Sequence, residues 1–223
     1  EAGIPAAYAL QAATIHAATV LGVDDQGVIE AGKRADIIAL PGDPVADIGT
    51  VLITEDQIRV KVGELGQRIS ADYGGQSVTL VSVLKGALPF MADLMRSISL
   101  PVRIDLMEVS SYGGATETSG QVRILKDLSS AIEGEDVVIV EDIIDTGLTL
   151  HYVTEHLRGK DPASLAICTL LDKPARRLVD IDITYRGFEI PDRFVIGYGL
   201  DYRERYRNLP YIGVLRPEVY GGQ

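Results

Sequence analysis

The sequence predicts an α/β fold in which a mostly parallel sheet is covered by helices. Two observations lead to this prediction. From about residue 51 onward, short apolar runs alternate with segments of helical character, which is the pattern of parallel α/β proteins. The runs VTLVSV (78–83) and VVIV (137–140) are apolar on both faces, as expected for central strands that helices cover on both sides.

The predicted elements follow in order from the apolar runs and from the Pro and Gly residues that separate them. A first helix precedes a buried strand, and the later helices begin after a glycine-containing turn or at a proline. Helices are predicted at 56–73, 89–98 and 148–157, and strands at 78–84, 102–109, 122–125, 137–140, 164–171, 182–188 and 194–200. Residues 110–120 (SSYGGATETSG) are small and polar without an apolar face, so a mobile connection is expected there.

Residues 1–47 differ in sequence pattern from the rest of the chain and are predicted to form a separate extension ahead of a domain at 48–223. An alanine-rich helix is predicted at 4–21 and a short strand at 36–40, which ends at Pro41. One helix and one strand are too little to enclose a core, because chains of this size need a partner, a metal or a disulfide.

Composition excludes several classes of function. The chain has 223 residues, is 46% hydrophobic and carries a net charge of −11. The charge opposes binding to nucleic acids and anionic membranes, and no run reaches the roughly 18 apolar residues of a membrane span. We therefore predict neither a nucleic-acid nor a membrane partner. The single Cys168 excludes an internal disulfide and, with no signal peptide apparent, favours the cytoplasm.

The segment 136–150 (DVVIVEDIIDTGLTL) is the most informative stretch. Its apolar strand is predicted to end in Glu141 and Asp142, and a turn at 145–149 opens the next helix. Backbone N–H groups, threonine hydroxyls and a glycine at a helix N-terminus bind phosphate. Adjacent carboxylates repel a bare phosphate, so they indicate ribose hydroxyls or a divalent cation. The alternative is a solvated acidic pair followed by a helix that Asp145 or Thr146 merely caps.

EDIIDTG after an apolar strand resembles the phosphoribosyl diphosphate signature of the type I phosphoribosyltransferases. More narrowly, residues 48–223 resemble the bacterial hypoxanthine-guanine phosphoribosyltransferases. The motifs stand in the family order: VLKGALPFMADL, MEVSSYG, VEDIIDTGLTL, LLDKP, GFEIPD and FVIGYGLDYRERYRNLPYIGVL. The resemblance implies the type I phosphoribosyltransferase fold, with five or so core strands and a small hood.

The resemblance also implies roles for the turn. Glu141 and Asp142 would hold the ribose hydroxyls and help to bind Mg²⁺, and Asp145 would exchange a proton at purine N7. The residues expected to bind the 5′-phosphate are Thr146, Gly147, Leu148 and Thr149.

For the diphosphate, the resemblance implies a loop at Lys85 and Gly86, preceded by a Leu84–Lys85 peptide that in the family can be cis. Asp201 would ligate Mg²⁺, and Arg207 would contact the diphosphate. A solvated lysine and a surface arginine are the alternatives.

For the base, Lys173 would donate to O6 of a 6-oxopurine, Phe194 would stack on the ring, and Val195 would recognise it through its backbone. In the family, the loop at 110–120 closes over the site, with Ser111 and Tyr112 reaching the ligand.

The implied reaction joins purine N9 to ribose C1′ as diphosphate leaves, and converts hypoxanthine or guanine to IMP or GMP. A xanthine-preferring enzyme and a regulatory homologue that binds nucleotides and RNA are the alternatives. The family commonly forms dimers or tetramers, so a homodimer or homotetramer is expected.

Residues 1–47 resemble the C-terminal tail of a metal-dependent amidohydrolase, as in ALQAAT and GVIEAGKRADIIAL. Such an enzyme needs a His-x-His pair and further histidines, whereas this chain has only His16, His151 and His156. We therefore expect a fusion whose extension is not catalytic and can be deleted.

Overall fold

The protein is described by a computed structural model that covers residues 48–112 and 121–220. The helix predicted at 4–21 and the strand predicted at 36–40 lie outside these residues, so the predicted extension is not tested. In chain order the elements are β1 (Ile48–Ile53), α1 (Glu55–Asp72), β2 (Val78–Val83), α2 (Leu88–Ser97), β3 (Val102–Tyr112), β4 (Gln121–Lys126), β5 (Asp136–Ile144), α3 (Leu148–Arg158), β6 (Ser164–Asp172), β7 (Tyr185–Glu189), β8 (Val195–Ile196), β9 (Ile212–Leu215) and α4 (Pro217–Tyr220).

The main sheet has six strands in the order β4-β3-β2-β5-β6-β7. All neighbours run parallel except β4, which pairs antiparallel with β3 at one edge. The predicted fold class is therefore confirmed, with one strand more than the five expected in the core. Because these strands run parallel, their carboxyl ends lie at one edge of the sheet, and the strand order reverses between β2 and β5, which is the position where open α/β sheets bind ligands.

Helix α1 begins with a capping box. The Thr54 hydroxyl accepts the Gln57 N–H at 3.3 Å, and the Gln57 Oε1 accepts the Thr54 N–H at 2.8 Å, so two N–H groups at the helix start are satisfied. The helix buries Ile58, Val62 and Ile69 against the sheet core. Its prediction at 56–73 is confirmed to within one residue at each end.

Cys168 lies on β6 in the same core and has no solvent exposure. Burial raises the pKa of its thiol far above the usual value, so it is a small core residue as its apolar surroundings predict.

A second, three-stranded antiparallel sheet in the order β1-β9-β8 forms the hood. Strand β1 was not predicted from the sequence, and the strand predicted at 194–200 is regular only at Val195–Ile196. Gly197 and Gly199 both have φ of +97°, a conformation that interrupts a strand and is available mainly to glycine.

Three predicted boundaries are wrong, and strand pairing explains two of them. Strand β3 continues through Tyr112 because Ser110 to Tyr112 pair with β4, so the predicted loop does not begin at residue 110. Strand β5 continues past the acidic pair to Ile144 because it stays in register with β6. Strand β7 begins at Tyr185, three residues after the predicted start.

Asp127 ties the β3–β4 hairpin to α3. Its Oδ2 lies 3.0 Å from His156 Nε2 and 2.9 Å from Lys160 Nζ. Burial alone would raise the pKa of Asp127, but hydrogen bonds from Lys160, the Leu128 N–H and His156 hold it at about 2. Among the helices of 48–112 and 121–220, none is both long and apolar enough to cross a membrane.

Candidate active site

A cavity of about 630 Å³ opens at the carboxyl ends of the central strands, beside the hood. It brings together residues that lie far apart in the sequence. Nine of the sequence-predicted site residues line it: Lys85, Gly86, Asp142, Asp145, Lys173, Phe194, Val195, Asp201 and Arg207. Six further residues complete its wall: Ile143, Arg176, Asp192, Arg193, Leu200 and Tyr220.

The acidic pair on β5 is held in an unfavourable electrostatic state. Burial and the adjacent Asp142 charge raise the pKa of Glu141 well above its usual value. Burial also raises the pKa of Asp142 to about 6, although the Ile143 N–H and Arg207 oppose the shift. The Asp142 Oδ1 accepts the Ile143 N–H at 2.8 Å, while Glu141 Oε2 is buried without a hydrogen-bond partner among the described residues. Hydroxyl donors or a cation would relieve both groups.

The loop after β2 has room only for glycine next to the acidic pair. A Cβ on Gly86 would lie 1.9 Å from Asp142 Oδ2. A Cβ on Gly199 would lie 1.9 Å from the Gly86 carbonyl oxygen. The Leu84–Lys85 peptide ahead of it is cis. Gly86 therefore lets the loop, the acidic pair and the hood approach one another closely.

Helix α3 begins at Leu148, after the N-cap residue Gly147, which has φ of +84° and no side chain to cap the helix. Of the capping residues in the predicted alternative, only Thr146 contacts the helix start, where its hydroxyl accepts the Leu148 N–H at a long 3.5 Å. The segment 146–149 stands at the start of the helix and is absent from the residues that line the 630 Å³ cavity. The Gly147 cap supplies no side-chain acceptor and the Thr146 contact is long, so the helix start next to Asp145 offers weakly satisfied N–H groups that favour an anion.

Asp145 lies at the junction between this turn and the cavity. Its Oδ1 is buried and lies 3.3 Å from Arg176 Nε, without the geometry of a hydrogen bond. Arg176 NH1 also lies 4.0 Å from Asp192 Oδ1. The side chain as a whole is 39% exposed and only loosely paired, so this carboxylate is able to accept or share a proton with a ligand.

Lys173 is 5% exposed at one end of the cavity. Its Nζ donates to the Arg193 carbonyl at 3.0 Å and lies 3.7 Å from Asp192 Oδ1. An ammonium group has three N–H donors, so this buried cation can also donate to a ligand oxygen. Its backbone N–H bonds the Ile144 carbonyl at 3.0 Å, which attaches it to the end of β5.

Phe194 forms an aromatic wall beside Lys173. Its ring stacks on Tyr220 with centroids 5.1 Å apart and an interplanar angle of 27°. Tyr202 approaches the same ring edge-on at 5.7 Å. Phe194 is still 38% exposed, so the structure places a supported flat apolar surface at the cavity and not in the core.

The opposite end of the cavity is a network of charges. Arg207 NH2 lies 2.8 Å from Asp201 Oδ1 and 3.3 Å from Glu204 Oε2. The other oxygen of Asp201 accepts the Glu204 N–H at 2.8 Å. Lys85 Nζ lies 3.4 Å from Glu204 Oε1 and remains exposed. The two cations predicted to bind a diphosphate are therefore close together, because both contact Glu204.

Mg²⁺ usually binds one or two carboxylates and completes its shell with water and substrate oxygens. Within 48–112 and 121–220, no three acidic, histidine or cysteine side chains form a metal-binding group. The predicted ligands Glu141, Asp142 and Asp201 thus do not form a cage of protein ligands. The orphaned Glu141 oxygen and the raised pKa of Asp142 fit a cation that substrate oxygens also hold.

Some site residues were not predicted, and others are not tested. The side chains of Ser111 and Tyr112 lie outside the described residues. Arg176, Asp192 and Tyr220 line the cavity but were not predicted from the sequence. LDKPAR and EIPD place the first two next to recognised motifs, a signal that could have been used. Tyr220 reaches the site only because α4 packs against the hood.

Comparisons with known proteins agree with this geometry. A model of the phosphoribosyl transferase domain matches residues 53–203, and a model of the amidohydrolase family matches residues 1–64. Hypoxanthine-guanine phosphoribosyltransferase of Bacillus subtilis (strain 168) is 55% identical over 174 residues, which are 78% of this chain and 97% of that protein. The bifunctional protein TilS/HprT of Listeria innocua is 53% identical over 174 residues, but these are only 27% of its length.

Solved structures of phosphoribosyltransferases are also similar to this chain. A hypoxanthine phosphoribosyltransferase from Staphylococcus aureus superposes with a TM-score of 0.76 at 54% identity, covering 78% of this chain and 95% of that one. A hypoxanthine-guanine phosphoribosyltransferase from Bacillus anthracis gives 0.72 at 46% identity, with 76% and 99% covered. With its sheet, its hood and its EDIIDTG turn, the chain belongs to the phosphoribosyl transferase family.

Proposed function

We propose that this chain makes a purine nucleotide by transferring the phosphoribosyl group of 5-phosphoribosyl 1-diphosphate to hypoxanthine or guanine. The C1′–oxygen bond to diphosphate breaks, a bond from C1′ to purine N9 forms, and the N9 proton is released. The observation that carries the proposal is one cavity with a buried lysine beside an aromatic wall at one end and the Lys85 and Arg207 cations at the other. The names of the Bacillus subtilis and Staphylococcus aureus relatives support it.

The base would lie against Phe194, with its 6-oxo group facing Lys173. Because the Lys173 Nζ is buried and holds the Arg193 carbonyl at 3.0 Å, its direction is fixed. Adenine presents an amino donor at the same position, which would leave both donors unpaired at a cost of about 1–3 kcal/mol. Val195 would contribute its backbone groups.

The ribose and its 5′-phosphate would lie between the acidic pair and the start of α3. Glu141 and Asp142 would accept hydrogen bonds from the two ribose hydroxyls, which suits carboxylates whose pKa values burial has raised. The N–H and hydroxyl groups of 146–149 would bind the phosphate. Asp145 would take up or return a proton at purine N7.

The diphosphate would lie over Gly86 between Lys85 and Arg207, which must then release Glu204. Bound Mg²⁺, held by Asp201 or by the acidic pair together with substrate oxygens, would supply positive charge to the departing diphosphate. Lys85 and Arg207 stabilise the same charge, and fixing both reactants in line contributes up to about 7–11 kcal/mol. Ser111 and Tyr112, at the end of β3, would reach the ligand and help to exclude water.

The proposal is tested by a spectrophotometric assay of the purified full chain with hypoxanthine, guanine, xanthine, adenine and uracil, each with and without Mg²⁺. We expect turnover of hypoxanthine and guanine that depends on Mg²⁺. Preference for xanthine, or nucleotide binding without turnover, would replace the proposal with one of the two alternatives. Light scattering during size-exclusion chromatography would test the expected homodimer or homotetramer.

A matched pair of variants tests the base-recognition step. Lys173→Met keeps the length of the side chain but removes its donors, and should lower kcat/KM for hypoxanthine about 10- to 100-fold. Lys61→Met, at a lysine that pairs with Glu64 on α1 away from the cavity, should leave kcat/KM unchanged. Equal effects of the two substitutions would contradict the role of Lys173.

A further inference from the structure

The turn that opens α3 is held from behind by one segment, 173–178, which follows β6. Three successive carbonyls of the turn each accept a hydrogen bond from it. The donors are two backbone N–H groups and one guanidinium. The bonds are Lys173 N to Ile144 O at 3.0 Å, Arg177 Nε to Asp145 O at 3.2 Å and Leu178 N to Thr146 O at 3.0 Å.

These bonds determine where the N–H groups of the turn point. In a trans peptide the C=O and the next N–H point in opposite directions. Because the Asp145 and Thr146 carbonyls face 173–178, the N–H groups of Thr146 and Gly147 face the other way. That side is the one from which an anion would approach the start of α3, so the segment orients the donors that a phosphate needs.

Arg177 is the only side chain among the three donors, and its position is fixed by a buried carboxylate. Its guanidinium contacts Asp172, which is 2% exposed, and Arg186 Nε lies 3.1 Å from the other oxygen of Asp172. Arg177 itself is mostly buried. A Cβ on Gly147 would lie 3.2 Å from Arg177 Cδ, so the arginine also packs directly beneath the turn.

We propose that Arg177, anchored by Asp172, is a positioning residue that presents the N–H groups of the turn to the 5′-phosphate. The inference deepens the proposed function and rests on it. A planar guanidinium can donate to Asp172 and to the Asp145 carbonyl at once, whereas a lysine ammonium lacks this fixed fork. Since Lys173 belongs to the same segment, one stretch of chain fixes both the base end and the phosphate end of the site.

The test is Arg177→Lys, which keeps a positive charge beside Asp172. Inhibition constants are measured for guanosine 5′-monophosphate and for guanosine, which differ only in the phosphate. We expect the variant to bind the monophosphate about 10- to 100-fold more weakly, and guanosine within about twofold of wild type. A general loss of structure would weaken both ligands, so the ratio of the two constants isolates the phosphate.

Two further variants complete the experiment. Arg186→Gln removes the other arginine from Asp172 but leaves the bond to the Asp145 carbonyl, so the ratio should stay near the wild-type value even if unfolding becomes easier. Arg158→Gln, at an exposed pair with Glu155, serves as a surface control. An unchanged ratio in Arg177→Lys overturns the inference, as does an equal change in Arg186→Gln. If wild type binds neither ligand, the proposed function fails instead.

Discussion

Replacing Asp142 with asparagine should make the ligand-free protein more stable at neutral pH while weakening its substrate binding. Burial raises the pKa of Asp142 from 3.8 to about 6. Because its pKa is higher in the folded state, this carboxyl ionises more easily in the unfolded protein. The free energy of unfolding therefore falls as pH rises from the unfolded-state pKa to the folded-state pKa. Asparagine carries no charge and its Oδ1 can still accept the Ile143 N–H.

The size of the pKa shift determines how much Asp142→Asn raises the free energy of unfolding. At pH 7.5 the shift corresponds to at most about 3 kcal/mol. At pH 5 it corresponds to about half of that, since the folded-state carboxyl is then mostly protonated. Solvent in the open cavity reduces both figures, so we expect a gain of about 1–3 kcal/mol at pH 7.5, with each kcal/mol raising Tm by about 2–4 °C.

The assay is urea denaturation of wild type and Asp142→Asn at pH 7.5 and pH 5, without substrate or Mg²⁺. The control is Asp56→Asn, at an aspartate whose side chain is 85% exposed, where the change should stay within about 0.5 kcal/mol. The reasoning is refuted if Asp142→Asn destabilises the protein, or if its gain does not shrink on going to pH 5.

Three other outcomes follow from the structure. Asp145→Ala should lower kcat about 10²- to 10⁴-fold while the Kd for phosphoribosyl diphosphate, measured by calorimetry, changes far less; unchanged turnover would remove its role in proton transfer. Asp127→Asn should destabilise the protein by about 0.5–1 kcal/mol at pH 7 because this partly exposed carboxylate is paired, and the loss should fade as pH falls from about 4 towards 2, which urea denaturation at pH 7 and pH 3 would show. Deletion of residues 1–46 should leave kcat/KM unchanged, since 48–220 hold their own core and cavity; an inactive but folded product would contradict this.

The parts of the fold that follow local patterns could be predicted from the sequence. Strands β2, β5 and β6 are apolar runs, and α1 has apolar residues at helical spacing. The local order of residues therefore identifies these elements. The continuation of β5 through Glu141 and Asp142 could not be predicted in this way. It depends on register with β6, a contact between segments that are distant in the sequence.

The same distinction applies to the site. Lys173 and Phe194 were found because each belongs to a recognisable motif. Tyr220 was missed because its position depends on the packing of a four-residue helix against the hood. The link from Arg177 to Asp145 joins residues 32 positions apart and likewise has no local signal.

The buried position of Cys168 has a practical consequence. It is the only cysteine in the chain, and both its complete burial and its raised pKa oppose reaction with maleimides or iodoacetamide. A new cysteine on the exposed face of a helix would therefore be the sole thiol to take up a fluorophore or spin label in the folded protein. The wild-type background is already suited to site-directed spectroscopy.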